Sequence, residues 1–172
     1  QPQASLTVID QSTGEVKAIV GGRADKTASK TLNRATDTTR QPGSTFKILA
    51  AYSAALDAGG LTLASVQDDA PYTYAGANGK SVNNYDRRYR GFTTLREAIT
   101  DSINIVTVKT LAQAGVSLGW QYVQEYGFTT VDSRDMNEAL ALGGITQGVS
   151  NLELTAAYAA IPNQGTYIKP KF

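Results

Sequence analysis

Ser44-Thr45-Phe46-Lys47 is the stretch whose residue types and spacing most directly suggest chemistry. A serine hydroxyl is a weak nucleophile until a nearby base takes its proton. On a helix, residues three apart share a face, so Lys47 lies one turn from Ser44. Ser44 follows Pro42-Gly43 and opens a predicted helix, where free N–H groups and the positive dipole end favour an anion. Lys47 can accept a proton only when neutral, which takes desolvation or cationic neighbours. The apolar residues around it offer desolvation. The pair alone is not specific, because Ser-x-x-Lys recurs by chance about once in a chain this long. Read in isolation, the simpler interpretation is a serine near a helix cap and a solvated lysine.

Ser102-Ile103-Asn104 is a second constellation, at a break between two predicted helices where side chains can project into a cleft. The bland interpretation is a helix–helix turn whose Ser and Asn act as local caps. Ser81-Val82-Asn83 has the same spacing but sits in a polar stretch. The 172 residues contain no cysteine and no histidine. Zinc fingers, thiol nucleophiles, iron–sulfur ligation and a Ser-His-Asp triad are therefore excluded within this chain. A hydroxyl nucleophile here must use lysine or a carboxylate as its base. A net charge of +1 and the lack of any Lys/Arg run imply no nucleic-acid partner. No cofactor is expected.

The elements that must position these residues follow from periodicity. Ser5–Asp10 and Val16–Val20 alternate as strands around a Gly14 turn, which predicts a β-hairpin within residues 1–22. Residues 23–39 are polar and carry no clear assignment. Ser44–Ala58 reads as a buried helix stopped by Gly59-Gly60. Residues 68–91 read as a long loop or irregular hairpin. Thr94-Leu95-Arg96-Glu97 is a capping box opening a helix to about Thr100, and Ser150-Asn151-Leu152-Glu153 is another, opening a helix to about Ile161. Between them, Ile105–Ala114 and Leu118–Tyr126 are helical, and apolar Glu138–Leu142 leads into Gly143-Gly144. Thr166–Phe172 reads as the start of a strand. A sheet begun at one end and resumed at the other, with helices over residues 40–165 between, predicts an α+β fold.

Several stretches, taken together in order, resemble the transpeptidase domain of penicillin-binding proteins. They are Val8-Ile9-Asp10 with Thr13-Gly14-Glu15-Val16, Asn33-Arg34-Ala35, Arg40-Gln41-Pro42-Gly43-Ser44-Thr45-Phe46-Lys47, and Ala141-Leu142-Gly143-Gly144 with Gly148-Val149 and Asn163-Gln164-Gly165. The Arg-Gln-Pro-Gly-Ser wording and the Gly-Gly…Gly-Val segment lean toward the class A, bifunctional type. The resemblance implies a β-lactamase/transpeptidase-like fold, an antiparallel sheet with an all-helical lobe. It implies Ser44 as the acylated nucleophile, Lys47 as its base, Ser102 as a proton relay and Asn104 as a partner of substrate and lysine.

The family's third motif, Lys-Thr-Gly or Lys-Ser-Gly, is absent: Lys80-Ser81 precedes Val82 and Lys109-Thr110 precedes Leu111. The expectation is therefore a partial domain, incomplete at its C-terminus and by itself inactive. Its missing half would be carried by another chain, or the open sheet edge would self-associate. The implied partners are peptidoglycan stem peptides and β-lactam antibiotics. The implied location is the bacterial cell envelope, outside the cytoplasmic membrane, held by an anchor upstream of Gln1. A serine β-lactamase is the competing enzyme, but Glu138 lacks the Glu-x-x-Leu-Asn setting of a deacylating glutamate. A β-lactam sensor and an inert interaction module also fit the motifs.

Overall fold

The computed structural model describes residues 2–23, 28–75 and 79–172. The unassigned polar stretch after Arg23 and the tip of the 68–91 segment fall partly outside them. The chain divides into two compact units. One comprises residues 1–41, 124–131 and 147–172, and the other residues 42–123 and 132–146.

In the first unit, β1 (Leu6–Ile9) and β2 (Val16–Val20) pair antiparallel, with Leu6 opposite Val20 and Val8 opposite Ala18. The turn closes at Gly14, where φ is +76° and an added Cβ would lie 2.6 Å from Ile168 Cγ2. That position needs glycine for both conformation and space. The predicted C-terminal strand reduces to one parallel bridge, Glu15 to Lys171, in which Val16 N donates to Lys171 O (2.9 Å). β3 (Thr39–Arg40) pairs with β8 (Val149–Ser150). Helix α5 (Asn151–Ala159) begins at the predicted capping box, with Ser150 and Glu153 bonding each other's backbone N–H. It packs on β1, where Thr7 Oγ1 donates to Asn151 Oδ1 (2.7 Å).

In the second unit, Gly43–Asp57 is helical but not one regular helix. A 3-10 turn (Gly43–Phe46) passes into a π segment (Ile48–Tyr52) and then α1 (Ser53–Asp57). The 68–91 segment, read as a long loop or irregular hairpin, takes the second form, an arm of nested antiparallel pairs. β4 (Val66–Asp69) joins β7 (Gly91–Thr94), and inside them β5 (Tyr72–Thr73) joins β6 (Ser81–Val82). Outer pairing partners over 20 residues apart leave no local periodicity to read. The Thr94 capping box opens α2 (Leu95–Thr100), followed by α3 (Asn104–Ala114) and α4 (Val116–Glu125), whose last two residues belong to the first unit.

The core of this unit forms where α2 and α3 meet the Gly43–Asp57 segment. Tyr52, Leu95, Ala98, Ile103 and Val106 are its centre, and Tyr52 Oη shares a hydrogen bond with Thr107 Oγ1 (2.8 Å). Each large apolar side chain buried there contributes about 1.5–3 kcal/mol. These contacts fix the two segments that carry the candidate residues.

Candidate active site

Ser44 lies in the 3-10 turn, and Lys47 N donates to Ser44 O at its end. In a 3-10 turn, side chains three residues apart eclipse, so Ser44 and Lys47 are aligned more closely than on an α-helix. Gly43 enters the turn at φ +58°, and Thr45 Oγ1 donates to Pro42 O (2.7 Å). Behind the turn stands Gly143, whose added Cβ would lie 2.6 Å from both N and O of Gly43. Ser44 is exposed, whereas Lys47 is only 3% exposed. An accessible hydroxyl thus precedes a buried amine by one turn.

The three hydrogens of the Lys47 ammonium have three acceptors. Nζ donates to Ser102 O (2.6 Å), Ser102 Oγ (3.0 Å) and Asn104 Oδ1 (2.6 Å). Burial alone pushes the Lys47 pKa down from 10.5 to about 8. At neutral pH about one molecule in ten therefore carries a free amine. When it does, the Ser102 Oγ contact can reverse, with the hydroxyl donating to the nitrogen lone pair.

Ser102 meets the lysine twice because of its backbone. Its φ is +53°, in the left-handed region, in the turn between α2 and α3. A non-glycine residue there costs about 1–2 kcal/mol. The turn is anchored by Ile103 N donating to Ala98 O (2.9 Å). Asn104 begins α3 and is half-buried, and its Nδ2 donates to Asn83 O (2.8 Å). Lys47, Ser102 and Asn104 are thus directly bonded, and Ser44 joins them through the helical turn.

The competing Ser81-Val82-Asn83 triplet takes a different place. Ser81 and Val82 form β6, and Asn83 contributes its carbonyl to Asn104. Glu138 is 8% exposed and accepts from Tyr72 Oη (2.9 Å) and Ala75 N (2.9 Å), so it anchors the arm. Burial and then Glu138 push the Tyr72 pKa up to about 12.

Beside Ser102 opens a cleft of about 290 Å³, bordered by Asn84, Tyr85, Asp86, Arg90 and Asp101. Arg90 Nη2 bonds Asp86 Oδ2 at 2.9 Å. The sequence does not place the arm residues Asn84, Tyr85, Asp86 and Arg90 in the site. Their only signal in the chain is a polar Asn/Tyr/Arg cluster without a readable motif.

Comparison with known proteins places these observations in a family. Residues 4–172 match the model described as "Penicillin binding protein transpeptidase domain". Penicillin-binding protein 1A of Neisseria flavescens is 42% identical over 168 residues, 95% of this chain and 20% of its own length. Penicillin-binding protein 1F of Bacillus subtilis is 42% identical over 170 residues, 99% of this chain and 22% of its own. The crystal structure of penicillin-binding protein 1A from Haemophilus influenzae has a TM-score of 0.86 and 32% identity, covering 98% of this chain and 24% of that one. The PonA1 protein of Mycobacterium tuberculosis, solved with penicillin V, has a TM-score of 0.80 at 22% identity over 98% of this chain and 45% of that one, a likeness of fold. The chain spans about a fifth of the length of these curated relatives. With its α+β architecture and its match over nearly every residue, the chain belongs to the penicillin-binding protein transpeptidase family, of the class A type.

Proposed function

We propose that this chain carries the nucleophile region of a D,D-transpeptidase of peptidoglycan synthesis, acting through a Ser44 acyl-enzyme. The supporting observation is the buried Lys47 amine, held by Ser102 and Asn104 one helical turn after the exposed Ser44. Neutral Lys47 takes the Ser44 Oγ proton as the oxygen attacks the carbonyl between the two terminal D-alanines of a stem peptide. The C–N bond breaks, the proton passes through Ser102 to the departing D-alanine nitrogen, and an ester to Ser44 remains. An amine of a neighbouring stem then attacks the ester. Its proton returns through the same groups, Ser44 is released, and the new amide is the cross-link.

A β-lactam is attacked in the same way, but its nitrogen stays tethered after the ring opens. Nothing leaves the site, so the ester persists. The Ser44 N–H at the start of the turn is one donor for the oxyanion. A second donor and the substrate carboxylate site belong to the Lys-Thr-Gly strand of the family, a motif absent from these 172 residues. Removing one oxyanion donor costs roughly 10²–10³ in rate. Acylation of this chain alone is therefore expected to be slow or absent, and full activity is assigned to a protein that also carries that strand. Its place is the bacterial cell envelope. Among the described residues no helix is long and apolar enough to cross a membrane.

Incubation with a fluorescent penicillin, followed by intact-mass measurement beside Ser44→Ala, tests the reading. A stable adduct lost in the variant supports it. Rapid turnover of the β-lactam points to a β-lactamase instead. The absence of an adduct both here and in a chain extended past Phe172 would sink it.

A further inference from the structure

Helix α3 begins without a cap of its own, because Ile103 at its N-cap contributes no side-chain bond. The first N–H groups of a helix have no partner within it. Here the acceptor comes from the arm: Asn84 Oδ1 takes Asn104 N (3.0 Å) and Ile105 N (3.2 Å). Asn84 is 4% exposed, and its amide has one possible orientation. Nδ2 donates to both oxygens of Asp69 (2.8 and 3.0 Å) and to Arg88 O (2.8 Å). A carboxylate only accepts, so the nitrogen must face it and the oxygen must face the helix. Asp69 is itself fully buried and is held by Arg90 N (3.0 Å), with the Arg90 guanidinium at 3.7 Å. Neighbouring Asn83 O grips the Asn104 side chain.

We propose that Asn84, held by Asp69, is a positioning residue for the reaction: its side-chain oxygen fixes the start of α3 and, through Asn104 and Ser102, sets where the Lys47 amine sits. Among the described residues its bonds reach neither Ser44 nor Lys47. It bonds the backbone N–H of Asn104, which supplies one Lys47 acceptor, and Ser102, which supplies the other two, lies two residues before it. The inference rests on the transpeptidase reading for its meaning, but its structural part is testable without turnover.

The charged groups around Lys47 leave burial in control of its titration. Of the elements packed on its segment, α2 carries Arg96 and Glu97, both exposed, and the others carry Asp57, Lys109 and Glu138. Asp57 accepts from Tyr122 Oη, Lys109 donates to Asp68 O, and Glu138 accepts from Tyr72 Oη and Ala75 N. Asp86, Arg90 and Asp101 line the cleft beside Ser102. Removing the Asn84 side chain frees the α3 start and opens a path for water from that cleft. Hydration favours the charged lysine, so its titration moves up.

The test is a pH titration of Lys47 by NMR on the full chain labelled with ¹³C at lysine Cε, assigned with Lys47→Met. Asn84→Ala and Asp69→Asn are compared with the parent. Melting curves establish that each is folded, and Asp69→Asn, which conserves volume, carries the test if Asn84→Ala is not. The expected result is a midpoint near 8 in the parent, moved toward the ordinary lysine value in both variants. Penicillin acylation at pH 7, where the parent shows it, then falls about tenfold per pH unit of that movement. An unchanged midpoint in a folded variant overturns the proposal, whatever the rate. Loss of folding in both variants also overturns it, because the pair is then a structural anchor. A parent that titrates as expected, with no adduct either on it or on a chain extended past Phe172, counts against the transpeptidase reading alone.

Discussion

A buried lysine costs free energy unless its charge is matched or given up. Among the described residues Lys47 has three hydrogen-bond acceptors but no carboxylate, so part of the cost remains and appears as a pKa of about 8 in place of 10.5. Between those values the unfolded chain binds the proton and the folded chain does not. Stability therefore rises with pH across that window, and the penalty is fully present below pH 8. Above pH 10 the slope reverses, because burial pushes Tyr52 and Tyr72 to about 12, so the folded state there holds protons that the unfolded state gives up. Urea unfolding at pH 8 and pH 10 is expected to show a gain on the order of 2 kcal/mol. Lys47→Met should flatten that rise and, in a chain extended past Phe172, abolish acylation of Ser44. A rise that survives in Lys47→Met would assign it to another group.

At the scale of elements, the candidate site depends on close backbone approach between two short turns. The 3-10 turn carrying Ser44 rests against Gly143, the left-handed end of the 3-10 helix Glu138–Leu142. Its φ is +72°, and an alanine Cβ would strike Gly43 backbone atoms at 2.6 Å, where no flexible side chain can yield. Gly143→Ala is expected to destabilise the chain by about 2–4 kcal/mol, strain and displacement together. In a chain extended past Phe172, where both variants are compared for acylation, it should also slow acylation by moving the Ser44 turn. Gly60 is the control, with φ +71° and nothing within 4 Å of an added Cβ. Gly60→Ala is expected to cost only about 1–2 kcal/mol of backbone strain and leave acylation unchanged. Thermal melts and adduct formation on both variants separate strain from displacement. Equal effects would remove Gly143 from any part in shaping the site.

At the scale of the molecule, all four candidate residues lie in the unit formed by residues 42–123 and 132–146. The unit of residues 1–41, 124–131 and 147–172 has its own electrostatic anchor, Glu153, at the start of α5. Burial pulls the Glu153 pKa up, but bonds from Thr129 and Ser150 outweigh it and hold the value below 4.5. A depressed carboxylate contributes stability above its unfolded pKa and loses it as pH falls through the folded one. Melting temperature is therefore expected to fall below about pH 4.5. Glu153→Gln should lower it at pH 7 and weaken the acid dependence. An acid limb identical to the parent's would show that other carboxylates carry it.

Local chemistry was legible in the chain itself. The capping boxes at Thr94 and Ser150 form as predicted, because each involves residues three apart whose bonds close within one turn. The β1–β2 hairpin forms as predicted because its alternating strands meet across one short turn, and the three-residue spacing of Ser44 with Lys47 and the helix break at Ser102 are local in the same way. Tertiary structure decided what depends on distant partners. It made the 68–91 stretch a nested arm, because Val66–Asp69 pairs with Gly91–Thr94 across more than 20 residues. It split Gly43–Asp57 among three helical pitches, where propensity sees one apolar helix. It joined Lys47 to Ser102 and Asn104, over 50 residues away, and capped α3 with an asparagine from a stretch that carried no motif. A periodicity reports which face of an element is buried. Which acceptor meets a buried amine depends on how those faces pack, and only the folded chain expresses that.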